Sequence, residues 1–453
     1  MARMFGTDGV RGVANTELTV ELAMGIGRAT AMVLAEEVKR PKVLIGMDTR
    51  ASGNMFESAL AAGLCSVGAD AVLAGVVPTP AVAYLVQKYG CDAGIMISAS
   101  HNPCEYNGIK LFSADGYKLP DEVEDKIENI VTRTDIGHPA PTHGDVGRVS
   151  HAEDAAADYV EYVISTTDLR FDGMKIALDC ANGSSSVTAK VLFSMLGAEV
   201  HVMSDTPDGV NINDGCGSTH MENLQKYVRE NGMDGGFAFD GDADRCLAVD
   251  ENGELIDGDK IIAICALDLK ARGQLKDNKA VVTVMSNLGF FRFADDNGII
   301  AEKTKVGDRY VLECMKENDL AIGGEQSGHV IFYNLATTGD GQLTAVQFLA
   351  AVKRAEKPFS ELAKVMTVYP QVLKNIVIDN DKKDMLFEDE DIKKIIFDTE
   401  VELGDNGRVL VRASGTEPLV RVMLEGKDIS VIEEKAMAIS NVIADRLNGK
   451  IKA

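Results

Sequence analysis

Closely spaced cysteines are missing: the eight, at 65, 91, 104, 180, 216, 246, 265 and 314, are scattered without a C-x-x-C pair. That spacing disfavours both a zinc site and a disulfide framework, and leaves most of the thiols as small reduced hydrophobes of the interior. Positive charge is also scarce. Forty-six Lys and Arg stand against 70 Asp and Glu, a formal net charge of −24, whereas a nucleic-acid groove or an anionic membrane surface needs a broad positive field. Any anionic ligand must be met by local cations and backbone N–H groups. No apolar run reaches the roughly 18 residues of a spanning helix, and the first residues lack the pattern of a signal peptide. The expectation is a cytoplasmic protein with neither nucleic acid nor membrane as partner.

What is present is ordinary for a globular enzyme: 453 residues, 45% hydrophobic and 26% charged. At roughly 100 to 200 residues per domain this suggests about three or four domains. Three apolar β-type runs, Lys42 to Met47, Lys175 to Asp179 and Ala280 to Met285, each precede a turn and a helical pattern. Further strands follow at Gly68 to Val72, Gly197 to Val200 and Asn297 to Ile300, then at Asp92 to Ile97, Asp234 to Phe239 and Asp319 to Ile322. Strands alternating with helices predict right-handed β-α-β units and mostly parallel sheets, with ligand loops at the carboxyl ends of strands.

Beyond Pro370 the pattern changes to a strand from Val372 to Ile378, an acidic stretch from Asp379 to Asp391 that reads as solvated surface, a strand from Arg408 to Arg412 and a final amphipathic helix. The expected fold is α/β, with three similar α/β domains over 1–152, 153–253 and 254–369 and a smaller α+β domain over 370–453, arranged around a central cleft.

Each third strand ends in a polar loop. After Phe239 comes Asp240-Gly241-Asp242-Ala243-Asp244-Arg245, and alternation in an extended segment points the three carboxylates to one side. Without thiolate or imidazole, these oxygens suit a hard cation, most simply Mg²⁺. An EF-hand would also start D-x-D-x-D with Glu251 at its twelfth position, but Arg245 stands where that loop requires glycine and the segment follows a strand. A merely solvated acidic turn is the plainer alternative.

The loop of the first repeat is Ser98-Ala99-Ser100-His101-Asn102-Pro103. Its hydroxyl could accept a phosphoryl group beside a cation, with His101 and Lys110 as proton-transfer candidates, although Ser, Asn and Pro are equally ordinary turn residues. The third loop, Gly323-Gly324-Glu325-Gln326-Ser327-Gly328-His329, offers groups that hydrogen-bond a polyol. The segment Arg412-Ala413-Ser414-Gly415-Thr416-Glu417-Pro418, with Arg421, resembles a phosphate nest, and Arg11 lies among glycines in Phe5 to Gly12.

In order and wording these four loops, SASHNP, DGDADR, GEQSGH and RASGTEP, resemble the signature loops of the α-D-phosphohexomutase superfamily, and the resemblance spans essentially the whole chain. FGTDGVRGVAN, TKVGDRYV at Thr304 to Val311 and the Gln-Gly form of the third loop are most similar to members acting on glucosamine phosphates. Ala243 and Ala413 depart from the usual Gly and Pro, which touches loop stiffness and no reacting group.

The resemblance implies interconversion of glucosamine 6-phosphate and glucosamine 1-phosphate, on the route to UDP-N-acetylglucosamine, through a 1,6-bisphosphate. It implies Ser100 as phosphoryl carrier and Asp240, Asp242 and Asp244 as Mg²⁺ ligands completed by the Ser100 phosphate. Arg245 would sit near the transferring group, and His101, Lys110 and Arg11 would share proton transfer and charge stabilisation. Gly307, Glu325 and Ser327 would hold sugar hydroxyls; Arg412, Ser414, Gly415, Thr416 and Arg421 would hold the phosphate that is not reacting. The implied partners are a phosphosugar, an activating phosphoryl donor for Ser100 and, where the chain assembles, a second copy in a homodimer. Competing readings are a phosphomannomutase or phosphoglucomutase with the same loops, a serine-phosphate hydrolase, and a catalytically silent sugar-phosphate sensor.

Overall fold

In the computed structural model, residues 3–6, 8–133, 137–414 and 417–452 are described. The chain forms two compact units, one of residues 1–285 and 298–365 and the other of 286–297 and 366–453.

The larger unit contains three sheets with one recurring plan. In the first, Lys42–Met47 lies between Asp70–Val76 and Ala93–Ile97, parallel to both. In the second, Lys175–Asp179 lies in the same way between Glu199–Met203 and Gly235–Phe239. In the third, Lys279–Thr283 lies between Ile300–Thr304 and Ile322–Gly324. These central strands are almost wholly buried, which is why the sequence shows continuous apolar runs there and no alternation.

Each third strand then turns back through its polar loop into an antiparallel partner. The return strands are Tyr106–Ser113, Cys246–Asp250 and Val330–Phe332. The SASHNP, DGDADR and GEQSGH loops therefore occupy one topological position in three sheets. The first sheet carries two more strands, Val10–Val13 against the return strand and Val149–His151 beside Asp70–Val76, so the Pro- and His-containing stretch before it ends on that sheet's edge.

Helices cover these sheets. Phe237, Phe348 and Phe359 pack together with ring centroids 5.1 to 5.9 Å apart, tying the second sheet to the helices Gly341–Ala355 and Phe359–Leu362. Burying three such rings contributes several kcal/mol in total, at about 25 cal/mol per Å² of apolar surface. Asp340 caps the helix Gly341–Ala355, accepting from Leu343 N at 2.9 Å, and the same oxygen accepts from Tyr159 OH at 2.8 Å.

In the smaller unit the strands run in the order Gly407–Ala413, Leu419–Gly426, Gln371–Val377, Lys450–Ile451, all antiparallel. The helix Ile429–Leu447 packs on this sheet through Ile432, Ala436, Ile439 and Ile443, the 3.6-residue stripe visible in the sequence. The helix Leu288–Asp296 joins the same unit, where Glu425 accepts from Leu288 N at 2.8 Å. All eight cysteines are free, and five of them are buried. Among the described residues no helix is long and apolar enough to cross a membrane.

Candidate active site

Ser100 follows the strand Ala93–Ile97 and is almost fully buried, with φ of 53°. A left-handed conformation costs a serine roughly 1–2 kcal/mol, so neighbouring groups must hold it there. Its Oγ donates to Asp240 Oδ2 at 2.6 Å and lies 3.4 Å from His101 Nδ1. Asp240 is placed by the strand Gly235–Phe239 of the second sheet, so the equivalent loops of two repeats meet at this hydrogen bond.

Asp240, Asp242 and Asp244 are buried, and one oxygen from each lies within 4.8 Å of the others. The turn between them is tight: Ala243 N donates to Asp240 O at 3.0 Å, with Ala243 at φ of 56°. Alanine therefore occupies a backbone conformation that glycine adopts without strain. Gly241 meets a different requirement, since a Cβ there would fall 2.6 Å from Ser100 O. Among the described residues, Asp242 Oδ1 and Asp244 Oδ1 are buried without a hydrogen-bond partner. Such atoms are costly unless a ligand satisfies them, and an all-oxygen set of this spacing fits a hard divalent cation.

The surrounding cations compensate the carboxylates. Lys110, on the return strand Tyr106–Ser113, is buried with Nζ 2.8 Å from Asp242 Oδ2, 3.4 Å from Asp244 Oδ2 and 3.0 Å from Asp8 Oδ2. Burial alone would lower its pKa, but Asp242, Asp8 and Asp244 outweigh burial and hold the ammonium above its ordinary value. The reverse holds at Asp244, where burial is overcome by Lys110 and His329 and the carboxyl lies well below its usual range. At Asp240 burial together with Asp244 and Asp242 outweighs the relief from Arg245 and pushes the carboxyl up to about 8. Arg245 reaches His101 Nδ1 at 3.2 Å, and burial, then Arg245 and Arg11, push His101 down to about 4. Arg11 itself pairs with Asp8.

Two members of this cluster, Thr79 and Lys118, carry no signal in the loops. Thr79 Oγ1 donates to Asp242 Oδ2 at 2.6 Å and Thr79 N to Asp242 O at 2.9 Å, from a helix start in the first repeat. Lys118 Nζ lies 2.6 Å from Asp8 Oδ1 and 2.5 Å from Asp308 Oδ2. His329 is buried with Nδ1 3.7 Å from Asp244 Oδ1 and Nε2 3.6 Å from Asp308 Oδ2; Asp244 raises its pKa although burial opposes the charge. Asp8, Lys110, Lys118, Asp308 and His329 line one cavity of about 190 Å³. Asp8, Asp308 and His329 fall in segments that the sequence singles out and Lys110 is a candidate there by itself; Lys118 becomes visible only through packing between repeats.

The third loop sits beside the cluster. Glu325 Oε1 accepts from Gly307 N at 3.1 Å, while Ser327 is exposed. Gln326 Nε2 donates to Asp257 Oδ2 at 3.1 Å, fastening the loop to the cap of the helix Gly258–Ala271.

In the smaller unit Arg412 and Arg421 are direct cross-strand partners. Like charges placed opposite each other are unfavourable; Glu417 Oε2, 2.7 Å from Arg421, offsets part of this, while burial together with Arg421 lowers the Arg412 pKa. Ser414 N donates to Leu419 O at 2.8 Å, and its Oγ accepts from Glu417 N at 3.2 Å. Lys383, which the motif does not include, donates to Ser414 O at 2.6 Å and Glu417 O at 2.7 Å. Gly415 and Thr416 lie outside the described residues.

Comparison with known proteins gives the same assignment across the whole chain. The phosphoglucomutase/phosphomannomutase families match in order: alpha/beta/alpha domain I at 2–137, domain II at 157–253, domain III at 257–369 and the C-terminal domain at 373–442. The chain is 56% identical over 448 residues to the phosphoglucosamine mutase of Clostridium novyi, and 57% identical over 447 residues to that of Clostridium botulinum Eklund 17B. Each alignment covers 99% of this chain and 100% of the relative.

The fold is similar to a Burkholderia thailandensis phosphoglucomutase/phosphomannomutase family protein, with a TM-score of 0.82 at 24% identity over 98% of this chain and 97% of that one. It is also similar to Aspergillus fumigatus N-acetylphosphoglucosamine mutase in complex with GlcNAc-6P and magnesium, with a TM-score of 0.72 at 17% identity over 98% and 96% of the two chains. The chain belongs to the phosphoglucosamine mutases, phosphosugar isomerases of the phosphohexomutase superfamily.

Proposed function

We propose that Ser100 is the phosphoryl carrier in the interconversion of glucosamine 6-phosphate and glucosamine 1-phosphate, with Asp240, Asp242 and Asp244 as ligands of Mg²⁺. The observation that carries this reading is the 2.6 Å contact of Ser100 Oγ with Asp240, beside two buried carboxylate oxygens that accept no hydrogen bond among the described residues. When bound there, Mg²⁺ would supply positive charge to the phosphoryl oxygens.

The protein's own groups do the rest. Phosphorylated Ser100 donates to the open hydroxyl of the sugar phosphate; as the new O–P bond forms, the hydroxyl proton leaves and the seryl oxygen is released. The resulting glucosamine 1,6-bisphosphate turns over, and its other phosphate returns to Ser100 with the proton moving back to the sugar oxygen. His101 lies 3.4 Å from Ser100 Oγ, within the range that tightens on substrate binding, and takes part in proton transfer. Lys110, Arg11 and Arg245 stabilise the charge. Glu325, Ser327 and Gly307 take the sugar hydroxyls, and the loop with Arg412, Ser414, Gly415, Thr416 and Arg421 takes the phosphate at rest. A phosphoryl donor, a kinase or the bisphosphate, primes Ser100 in the cytoplasm.

The test uses phosphorylated enzyme isolated free of donor and mixed with glucosamine, mannose or glucose 6-phosphate plus Mg²⁺. The reading predicts transfer of the group from Ser100 to sugar, fastest with glucosamine 6-phosphate. Release as inorganic phosphate would point to a hydrolase, and preference for another sugar would move the substrate.

A further inference from the structure

Behind Ser100 the loop is held by its backbone. Asp48 and Arg50 follow the strand Lys42–Met47, pair with each other and are buried. The remaining face of the Arg50 guanidinium points at the loop, donating from NH2 to Ser100 O at 3.1 Å and to Asn102 O at 2.5 Å. Asn213, a buried residue beyond the strand Glu199–Met203 of the second sheet, donates Nδ2 to the same two carbonyls at 2.9 and 3.1 Å. Ser98 Oγ completes the frame, accepting from Ser100 N at 2.9 Å and donating to Asp48 Oδ2 at 2.5 Å.

Both backbone polar atoms of Ser100 are thus bound by side chains from three separate segments. This is the residue that adopts a left-handed φ, and its carbonyl faces Gly241 of the carboxylate loop. We propose that Arg50 and Asn213 are positioning residues that clamp the carbonyls of Ser100 and Asn102 and thereby aim the Ser100 hydroxyl at the phosphoryl site. The proposal rests on the reading of Ser100 as carrier. A planar guanidinium can bond Asp48 on one edge and two carbonyls on another, whereas a lysine ammonium is a point donor on a flexible stem. Phosphoryl transfer depends on alignment of the attacking and leaving oxygens, and a 1 Å displacement costs about 100-fold in rate. Since Ser100 Oγ leaves in one half-reaction and attacks in the other, the clamp serves both.

The experiment compares full-length wild type, Arg50→Lys and Asn213→Ala in three ways. Melting midpoints report folding; intact mass after rapid mixing with glucosamine 1,6-bisphosphate and Mg²⁺ reports single-turnover phosphorylation of Ser100; steady-state assays report kcat and KM for glucosamine 6-phosphate. Arg50→Lys is expected to lose about 100-fold and Asn213→Ala about tenfold in both phosphorylation rate and kcat, with KM within about threefold of wild type.

Transfer at the wild-type rate in both variants, or a loss seen only in KM, would overturn the clamp. If Arg50→Lys does not fold, Asn213→Ala decides by the same criteria. Should wild type itself gain no phosphoryl group at Ser100, the carrier reading fails and takes the clamp with it; phosphorylated wild type with unimpaired variants rejects the clamp alone.

Discussion

Lys110 Nζ lies 2.8 Å from Asp242 Oδ2, joining the return strand of the first repeat to the carboxylate loop of the second. Both groups are buried, so neither charge is solvated without the other. Lys110→Met should destabilise the protein by about 3 kcal/mol, the usual consequence of leaving a buried charge unpaired. Added Mg²⁺ should restore part of that loss by replacing the missing positive charge. Melting curves with and without Mg²⁺ check this; an unchanged midpoint would show that Asp242 and Asp244 do not depend on Lys110.

Asp242→Asn tests the metal assignment. Asp242 Oδ1 has no hydrogen-bond partner among the described residues, and its other oxygen receives Thr79 and Lys110, so an amide removes charge at the point where the cation would bind. Apparent Mg²⁺ affinity and turnover should fall together by at least the roughly 10- to 100-fold typical of outer-shell changes. Titration calorimetry and a chelator-reversal assay measure the two. Activity indifferent to both changes would make the triplet structural.

Arg421→Ala addresses the resting phosphate. One charge-assisted contact is worth roughly 1.5–3 kcal/mol, so the half-saturating substrate concentration should rise by about 10- to 150-fold. Ser100 should still accept a phosphoryl group, and the variant should need more added glucosamine 1,6-bisphosphate, because a weakly held intermediate escapes before it turns over. Unchanged saturation and unchanged bisphosphate demand would remove this loop from the phosphate site.

Asp340 predicts a pH effect beside the carboxylate loop, where Gly341 N donates to Ala243 O at 3.0 Å. Burial pushes its carboxyl up to about 6, against the partial relief given by Leu343 N and Tyr159 OH. The unfolded chain, with an ordinary carboxyl near 3.9, loses its proton first, so stability falls as pH rises from about 4 to about 6. The loss is on the order of 2–3 kcal/mol and is complete above the folded value. Asp340→Asn keeps an oxygen for both hydrogen bonds and should remove this slope. Urea unfolding across pH 4 to 7 should therefore show the variant gaining on wild type toward neutral pH; parallel profiles would contradict the assignment.

The sequence exposes the repeated plan because the central strands are buried on both faces and read as unbroken apolar runs, as at Lys42–Met47 and Lys175–Asp179. Its loops are legible because each is one continuous segment: Asp240, Asp242 and Asp244 alternate within DGDADR, and Ser100 lies within SASHNP. Tertiary neighbours are not. Lys118 meets Asp308 across 190 residues and Arg50 meets Asn102 across 52, contacts that no local spacing encodes. The return strands were equally hidden, since Val330–Phe332 has only three residues and follows a glycine-rich turn. Nor does the helix Leu288–Asp296 announce in its own pattern that Glu425 will receive its first N–H.

The phosphoryl carrier is decided most directly by mass. Wild type and Ser100→Ala, each incubated with glucosamine 1,6-bisphosphate and Mg²⁺, would be weighed intact, and their formation of glucosamine 1-phosphate from glucosamine 6-phosphate followed in parallel. A buried Ser100 Oγ bonded to Asp240 predicts a gain of one phosphoryl group and sustained turnover in wild type only. A Ser100→Ala protein that still gains the group and still isomerises the sugar would contradict the account at its centre.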